Sequence, residues 1–261
     1  MVEAGADAIE LNLYSVAADP SRGGAAVESD YLEVVRLVRR AVEIPLAVKL
    51  SPFLSATANF ARQVVEAGAN GLVLFNRFYQ PDIDLDSLDA LPRVELSDPR
   101  EMRLPLRWLA ILRPQLPGTS PAATTGVHSR RDAVKALLVG ADVVMTSALL
   151  RHGPAHLAHV ESELMDWLTE RAYVSVGQLR GSLSRRAARD PTGFERGNYV
   201  RTLASYTSPP VPRRAAQGRP GAFTQRRSVV RTTGRTRPKA AFCKHGVTRG
   251  LEPPPTESDP G

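Results

Sequence analysis

One lysine, two asparagines, a serine and two short turns are the groups in this sequence whose types and spacing suit a common chemical task. They follow the ends of five apolar segments in the order Asn12 and Ser15, Lys49, Asn76, Thr125 and Gly126, and Thr146 and Ser147. A lysine suits an anionic ring or a reduced cofactor, and paired carboxamides suit a planar, imide-like substrate. The two turns suit a phosphate, whose oxygens accept hydrogen bonds from backbone N–H groups. Singly, such residues are more often solvated or turn-forming, and only their recurrence indicates a site.

The apolar segments belong to an internal repeat. Three stretches are alike: VEAGADAIEL (Val2–Leu11), VEAGANGLVL (Val65–Leu74) and LLVGADVVM (Leu137–Met145). Each resembles the end of an apolar-striped helix, then a Gly-Ala-Asp/Asn turn, then an apolar strand. Gly5, Gly68 and Gly140 are 63 and 72 residues apart, which corresponds to two strand–helix units each time. A glycine just past a helix end takes the left-handed conformation at no steric cost.

Five strands are predicted, alternating with helical patterns. They lie near residues 8–13, 45–50, 71–76, 122–126 and 143–147. Apolar strands that alternate with helices predict a parallel sheet covered by the helices. The even spacing, without a dinucleotide-binding G-x-G-x-x-G motif, favours a (β/α)8 TIM barrel over a doubly wound sheet. Since such a barrel needs eight strands, we expect an α/β fold with only about five of them present and the first three missing.

The same patterns predict where helices begin and where the site lies. Ser29 or Asp30 and Ser55 are expected to cap two helices, and Ser129 with Asp132 is expected to form a capping box. In such barrels the active site lies at the carboxyl ends of the strands. The polar residues at the segment ends are therefore expected to converge on one mouth.

Charge divides the chain into two regions. Residues 207–261 hold nine Arg and two Lys against three acidic residues, and nine of the 21 prolines, whereas residues 1–206 carry 23 basic and 24 acidic side chains. Such a composition cannot bury enough surface to offset the entropy of ordering, so residues 207–261 are predicted to form a disordered basic tail. A basic arm can bind nucleic acid, but with only Phe223 and Phe242 as aromatic residues we favour a merely solvating extension.

Several classes of protein are excluded by composition. The single cysteine, Cys243, rules out a disulfide scaffold or zinc cluster and fits a reduced, cytoplasmic setting. No stretch of apolar residues is long enough to predict a membrane span, and the N-terminal residues lack the pattern of a signal peptide. No histidine pair with a carboxylate has metal-ligand spacing, so no metal is predicted.

Five motifs occur in a fixed order along the chain. They are IELNLYS (9–15), AVKLSPF (47–53), LVLFNRF (72–78), ATTGVHSRRDAVKALLVGAD (123–142) and MTSALLRHGP (145–154). Together they resemble the dihydroorotate dehydrogenases, FMN-dependent (β/α)8 barrels of pyrimidine synthesis, and most closely the soluble class 1 type. The resemblance runs from Met1 to about Tyr206 and implies a homodimer that oxidises dihydroorotate to orotate. The segment after Asn76 also resembles the family's insertion between the sixth strand and its helix.

The resemblance implies roles in catalysis for four residues. Asn12 and Asn76 match the family's orotate-binding asparagines, and Ser15 matches the position of its catalytic base. Lys49 matches the lysine that contacts FMN. In the implied reaction a base removes a proton from C5 of dihydroorotate while the C6 hydride passes to flavin N5, and the lysine stabilises negative charge on the reduced flavin. A serine hydroxyl is a weak base, so Ser15 would need a relay or a water.

The resemblance also implies a phosphate site, and it has departures. Thr125 and Gly126 match the Gly-Gly turn around the FMN phosphate, and Thr146 and Ser147 match the Gly-Thr turn that completes it. Only one glycine is present in the first turn, and the loop Tyr14–Ala17 replaces the family's Ser-Cys/Ser-Pro-Asn. Two other functions therefore stay open: a flavin oxidoreductase with a different cyclic substrate, and a truncated, non-catalytic barrel remnant.

Overall fold

A parallel sheet flanked by helices organises this chain, as seen in a computed structural model that describes residues 1–77, 80–91, 94–195 and 199–205. The strands of the described residues are β1 (Ile9–Asn12), β2 (Leu46–Leu50), β3 (Gly71–Leu74), β4 (Asp82–Asp84), β5 (Asp89–Leu91), β6 (Ser120–Ala123) and β7 (Val143–Val144). The helices are α1 (Gly24–Ala41), α2 (Thr57–Glu66), α3 (Arg103–Leu112), α4 (Arg130–Val139), α5 (Leu149–His152), α6 (Ala155–Glu170), α7 (Val176–Leu179), α8 (Thr192–Glu195) and α9 (Tyr199–Ala204), with 3-10 turns at Val2–Ala4 and Pro99–Met102.

Five of these strands lie side by side in chain order, β1-β2-β3-β6-β7, and every neighbouring pair is parallel. In the register, Asn12 is opposite Lys49 and Lys49 is opposite Val73. Because all five strands run the same way, their carboxyl ends meet at one edge of the sheet. The predicted parallel sheet of five strands alternating with helices is thus confirmed.

The described strands form an open sheet. β1 and β7 are its outer strands, and neither pairs with another strand of the described residues on its free side. A sequential, all-parallel order with helical connections is the arrangement found in a sector of a TIM barrel. The closed (β/α)8 barrel itself stays a prediction.

The main core lies on the helix-covered face of the sheet. Leu46, Val48 and Leu50 of β2 are completely buried and alternate with Ala47 and Lys49, which are half-buried, because successive strand side chains point to opposite faces. The buried trio shares one cluster with side chains of the flanking helices: Val35 of α1, Phe60 and Val64 of α2, and Leu109 and Leu112 of α3. Lys49 therefore lies on the face of β2 that the helices leave open.

The first long helix starts earlier than predicted. α1 begins at Gly24, and the N–H groups of Ala26 and Val27 already donate to the carbonyl of Gly23. Asp30, expected to cap the helix, instead lies inside it and pairs with Arg22, whose Nη2 is 2.6 Å from Asp30 Oδ2. Ser29 and Asp30 both lie inside α1, and the Asp30 carboxylate pairs with Arg22 instead of accepting hydrogen bonds from the helix N-terminus. The prediction that Ser29 or Asp30 caps α1 is therefore wrong.

The capping box predicted before α4 is also wrong. Ser129 does stand at the N-terminus of α4, but its hydroxyl accepts no hydrogen bond from the helix backbone. It donates instead to Asp132 Oδ2 at 2.9 Å, and this oxygen also accepts from the backbone N–H of His128 at 3.3 Å. A capping box is present at another place, where Asp98 and Glu101 bond each other's backbone ahead of α3.

The helix-to-strand turns of the repeat form as predicted. Gly5, Gly68 and Gly140 all have positive φ, at 81°, 112° and 117°. At the end of α4 the N–H of Gly140 donates to the carbonyls of Ala136 and Leu137, which closes the helix. Each glycine then directs the chain into the strand that follows.

An antiparallel hairpin of β4 and β5 is inserted between β3 and α3. Asp82 is opposite Leu91 and Asp84 is opposite Asp89. The insertion lies where the sequence resembles the family's insertion after the sixth strand. The chain returns from it through residues 94–97, which reach the carboxyl edge of the main sheet.

The predicted basic tail, residues 207–261, lies outside the described residues. The longest described helices, α1 and α6, have 18 and 16 residues and carry charged side chains throughout. In the part of the chain that the structure describes, no helix has both the length and the apolar character that a bilayer crossing requires.

Candidate functional site

A cavity of about 470 Å³ opens at the carboxyl ends of β2, β3, β6 and β7, and we call it the mouth cavity. Six residues that the sequence predicts as site residues line it: Lys49, Asn76, Thr125, Gly126, Thr146 and Ser147. Its other walls are Phe75, Arg77, residues 94–97, Thr124, Val127 and Met145. A cavity of this size falls within the range of small-molecule sites. The parallel sheet thus brings together groups that are up to 98 positions apart in sequence.

Lys49 is held in an ion pair at the mouth. Its Nζ lies 2.6 Å from Oε1 of Glu10 on β1, and the two side chains are 21% and 32% exposed. Sequence reasoning missed Glu10, although its position two residues before Asn12 puts it on the same face of β1. The positive charge of Lys49 is therefore compensated by a carboxylate from the neighbouring strand.

Asn76 is buried and links the carboxyl ends of β1 and β2 by hydrogen bonds. Its Nδ2 donates to the carbonyl of Leu13 at 2.7 Å and more weakly to that of Lys49 at 3.4 Å. Its backbone N–H donates to the carbonyl of Leu50 at 2.8 Å. The amide nitrogen is thus used within the protein, and the oxygen is the part of this carboxamide that remains for a ligand.

The turn after β6 has two consecutive residues with positive φ, Thr125 at 72° and Gly126 at 78°. Threonine is β-branched and adopts this conformation only at a cost in energy. At Gly126 a Cβ atom would lie 2.5 Å from the backbone nitrogen of Met102, so the turn packs directly against the start of α3. Both the backbone conformation and the packing require glycine at position 126.

Ser97 supports this turn from behind. Its buried hydroxyl accepts a hydrogen bond from the N–H of Gly126 at 3.0 Å and lies 3.3 Å from Nε2 of His128. Ser97 comes from the irregular segment after the hairpin, which has no periodicity or motif that would have singled it out. His128, which follows the turn, is thereby directed towards Ser97.

Thr146 connects the two turns of the mouth cavity. Its Oγ1 donates to the carbonyl of Val127 at 2.6 Å and accepts from the N–H of Ala148 at 3.0 Å. The backbone N–H groups of Val127 and Ser147 donate to no acceptor among the described residues. Both residues line the cavity, one from each turn. Backbone N–H groups without an acceptor suit a phosphate, which accepts several hydrogen bonds at once.

Arg77 forms a second ion pair at the rim. Its Nε lies 3.0 Å from Oε2 of Glu101, and a further nitrogen bonds the carbonyl of Glu95. Burial raises the pKa of the Glu101 carboxyl, but the hydrogen bond from Arg77, that from the Asp98 N–H and the charge of Arg77 outweigh this effect and hold the pKa below its usual value. The pair fixes the segment before α3 to the end of β3.

Asn12 and Ser15 do not line the mouth cavity. Asn12 is exposed at the end of β1, beside Lys49 in the register. Ser15 lines a separate, mainly apolar cavity of about 580 Å³ together with Tyr31 and Phe53, and its carbonyl accepts a hydrogen bond from the Tyr31 hydroxyl at 3.2 Å. The structure therefore gathers six of the eight predicted site residues and leaves these two apart.

Comparison with known proteins identifies relatives. No family model matches the chain. The "Dihydroorotate dehydrogenase A (fumarate)" of Limosilactobacillus reuteri is 31% identical over 168 residues, which are 62% of this chain and 54% of that protein. The chain is related to the dihydroorotate dehydrogenases. Two proteins named "Dihydroorotate dehydrogenase B (NAD(+)), catalytic subunit" also match, at 30% identity in Geobacter sp. (69% of this chain, 60% of that protein) and at 29% in Porphyromonas gingivalis (67% and 58%).

The chain spans little more than half the length of these dihydroorotate dehydrogenases. The relationship that the five motifs indicate is confirmed by these matches. It agrees with the parallel sheet, since that sheet has the sequential order expected for part of a dihydroorotate dehydrogenase barrel.

Proposed function

We propose that the residues at the carboxyl edge of this sheet form part of an FMN site. The enzyme would oxidise dihydroorotate to orotate in pyrimidine biosynthesis. The observation that carries the proposal is the mouth cavity, which is lined by a lysine and by the turns that follow β6 and β7. The similarity to proteins named dihydroorotate dehydrogenase supports it. The proposal includes the homodimer that the family resemblance implies.

The residues present fit the phosphate end of FMN. The N–H groups of Val127 and Ser147 are available as donors, and Gly126 leaves no side chain between the turn and α3. In the proposal, Thr125 and Gly126 hold the phosphate from one side and Thr146 and Ser147 hold it from the other. When bound, FMN would accept the hydride that leaves C6 of dihydroorotate.

Lys49 supplies the positive charge of the proposed site. Its partner Glu10 keeps the ammonium group at the edge of the cavity, and the helix-free face of β2 keeps it accessible. An ammonium group there stabilises negative charge that develops on a bound group, and it does so more strongly in a partly buried site than in water. Its effect on a ligand depends on how far it is shared with Glu10.

Ser15 is the proposed proton acceptor for C5 of the substrate. Its hydroxyl is a weak base, and Ser15 lines a cavity separate from the mouth cavity, so the proton must pass through a water or another group. Asn12 and the oxygen of Asn76 are the proposed contacts for the amide edge of the substrate. Asn12 is exposed and free to adopt such a contact.

A second candidate is a flavin oxidoreductase with a different cyclic substrate. It is favoured by Asn76, whose amide nitrogen already donates to the Leu13 carbonyl and so offers a substrate only an acceptor. The replaced loop Tyr14–Ala17 points the same way, since it lacks a second carboxamide. Turnover of dihydroorotate against other cyclic amides distinguishes the two candidates.

The test is a visible spectrum of the purified full-length chain after addition of FMN and gel filtration. We expect a retained flavin band, a marked loss of it in Lys49→Gln, and wild-type retention in Lys135→Gln. Lys135 is a matched control because its Nζ pairs with Asp132 on α4 and it does not line the mouth cavity. A chain that folds but retains no flavin would be the non-catalytic remnant, and the proposal would fail. Orotate formation from dihydroorotate is then measured on the flavin-loaded protein.

A further inference from the structure

A second polar cavity lies at the opposite edge of the sheet, and we call it the basal cavity. It has a volume of about 480 Å³ and lies where β6 and β7 begin, next to Ser120 and Asp142. The charged and hydroxyl-bearing residues that line it are Arg113, Thr119, Ser120, Asp142, Arg180, Ser184 and Arg186. Because the mouth cavity lies where the same strands end, the two cavities are separated by the length of the sheet.

Three arginines line the basal cavity with a single carboxylate. Oδ1 of Asp142 lies 2.9 Å from Nη1 of Arg113 and 3.0 Å from Nη1 of Arg180, and Oδ2 accepts a hydrogen bond from the Ser120 hydroxyl at 3.0 Å. The carboxylate is thus shared by two guanidinium groups. Arg186 is exposed and has no ion-pair partner among the described residues. The cavity walls therefore carry an excess of two positive charges.

The packing of the fold holds the arginines of the basal cavity in place. The stem of Arg113 occupies the place where a Cβ of residue 140 would be, with its Cγ 2.6 Å from that point, so Gly140 is what lets Arg113 reach Asp142. The segment carrying the other two arginines is tied to the body by backbone hydrogen bonds from Gly181 to Leu137 and from Arg185 to Ala110. The arginines are thus attached to ordered elements on both sides of the cavity.

We propose that the basal cavity binds a small anion bearing a phosphate group. A guanidinium group offers several N–H donors in a planar fork that matches phosphate oxygens, and two of these arginines keep donors beyond those used on Asp142. The hydroxyls of Ser120 and Ser184 add neutral hydrogen-bonding groups to the wall. A concave site of this volume suits a small molecule better than an extended nucleic-acid backbone. This inference is independent of the function proposed for the mouth cavity.

Isothermal titration of the full-length chain with inorganic phosphate, pyrophosphate and glycerol 3-phosphate tests the site, at an ionic strength held constant with chloride. We expect saturable binding at one site per chain and a loss of affinity of about fivefold or more in Arg186→Ala, which removes an exposed side chain and leaves the Asp142 network intact. Tighter binding of glycerol 3-phosphate than of phosphate would indicate an organic phosphate, and the reverse order would indicate free phosphate. Either order supports the site.

The matched control is Arg107→Ala, which removes an exposed arginine of α3 outside the cavity and is expected to bind phosphate like the wild type. Equal losses in both variants, or no saturable binding, would overturn the proposal in favour of general charge attraction. A phosphate affinity that falls in Lys49→Gln but not in Arg186→Ala would also overturn it, since it would place the phosphate in the mouth cavity. Tighter binding of a poly(U) RNA than of any small phosphate would count against a small-molecule ligand.

Discussion

Lys49 and Glu10 pair across two neighbouring strands at the carboxyl edge of the sheet, with Nζ and Oε1 2.6 Å apart. Both side chains are only partly exposed, so their attraction is screened less than that of a surface pair. Lys49 is also the residue for which the family resemblance implies a contact with FMN. A ligand that uses Lys49 must therefore compete with Glu10 or share the ammonium group with it.

Glu10→Gln is expected to strengthen FMN binding by about two- to fivefold, because the amide attracts the ammonium group less than the carboxylate does. The measurement is the dissociation constant from quenching of FMN fluorescence. Glu43→Gln, which removes an exposed carboxylate of the loop before β2, should leave that constant unchanged. Weaker binding in Glu10→Gln would mean that the carboxylate positions Lys49 for the ligand and does not compete for it.

The fold was predictable from sequence where local patterns repeat. The turns at Gly68 and Gly140 reproduce one combination of helix end, glycine and strand, and each of the five strands of the main sheet lies within its predicted segment or within two residues of it. Helix starts were less predictable, because Asp30 forms an ion pair with Arg22 and the Ser129 hydroxyl donates a hydrogen bond to Asp132. A capping side chain with another partner within reach does not cap, and the sequence does not indicate that partner.

The site was predictable where its residues follow strands directly. Lys49 reaches the mouth cavity because it lies within β2, where strand direction alone determines its position. Ser15 is separated from β1 by loop residues, and the loop turns it into a different cavity. Ser97 comes from an irregular segment after the hairpin, where contact with Gly126 depends on tertiary packing and on no local pattern.

Thr125→Gly is expected to stabilise the fold by about 0.5–1.5 kcal/mol, because Thr125 has φ 72° and a β-branched residue is strained in that conformation. The gain is reduced by the greater freedom of glycine in the unfolded chain and by loss of the long hydrogen bond from Thr125 Oγ1 to the Phe75 carbonyl. Urea denaturation at constant m-value measures it. A control, Thr124→Gly, lacks the positive φ and should be destabilised.

Gly126→Ala is expected to destabilise the fold by about 2–4 kcal/mol, because a methyl group would collide with the backbone of Met102 in addition to the strain of a positive φ. Gly118→Ala separates the two effects. Gly118 has φ 85° but no atom within 4 Å of its added Cβ, so only the conformational cost of about 1 kcal/mol applies. Equal urea midpoints for the two variants would show that the turn does not pack against α3 as observed.

Glu101→Gln is expected to change how stability depends on pH. The pKa of Glu101 is lower in the folded chain than its usual value, so the charged carboxylate contributes stability above that usual value and loses it as pH falls through the folded value. The amide side chain of the variant cannot titrate, but its oxygen can still accept the hydrogen bond from the Asp98 N–H. The wild type should therefore be more stable than the variant at neutral pH, by less than about 1 kcal/mol because the pair with Arg77 is partly exposed. This difference should vanish under acid conditions, as followed by urea denaturation across the acid range.

The control is Glu161→Gln, which removes an exposed carboxylate of α6 and should show no such pH-dependent difference in stability. If the difference between the wild type and Glu101→Gln persisted unchanged in acid, the Glu101 charge would not stabilise the fold.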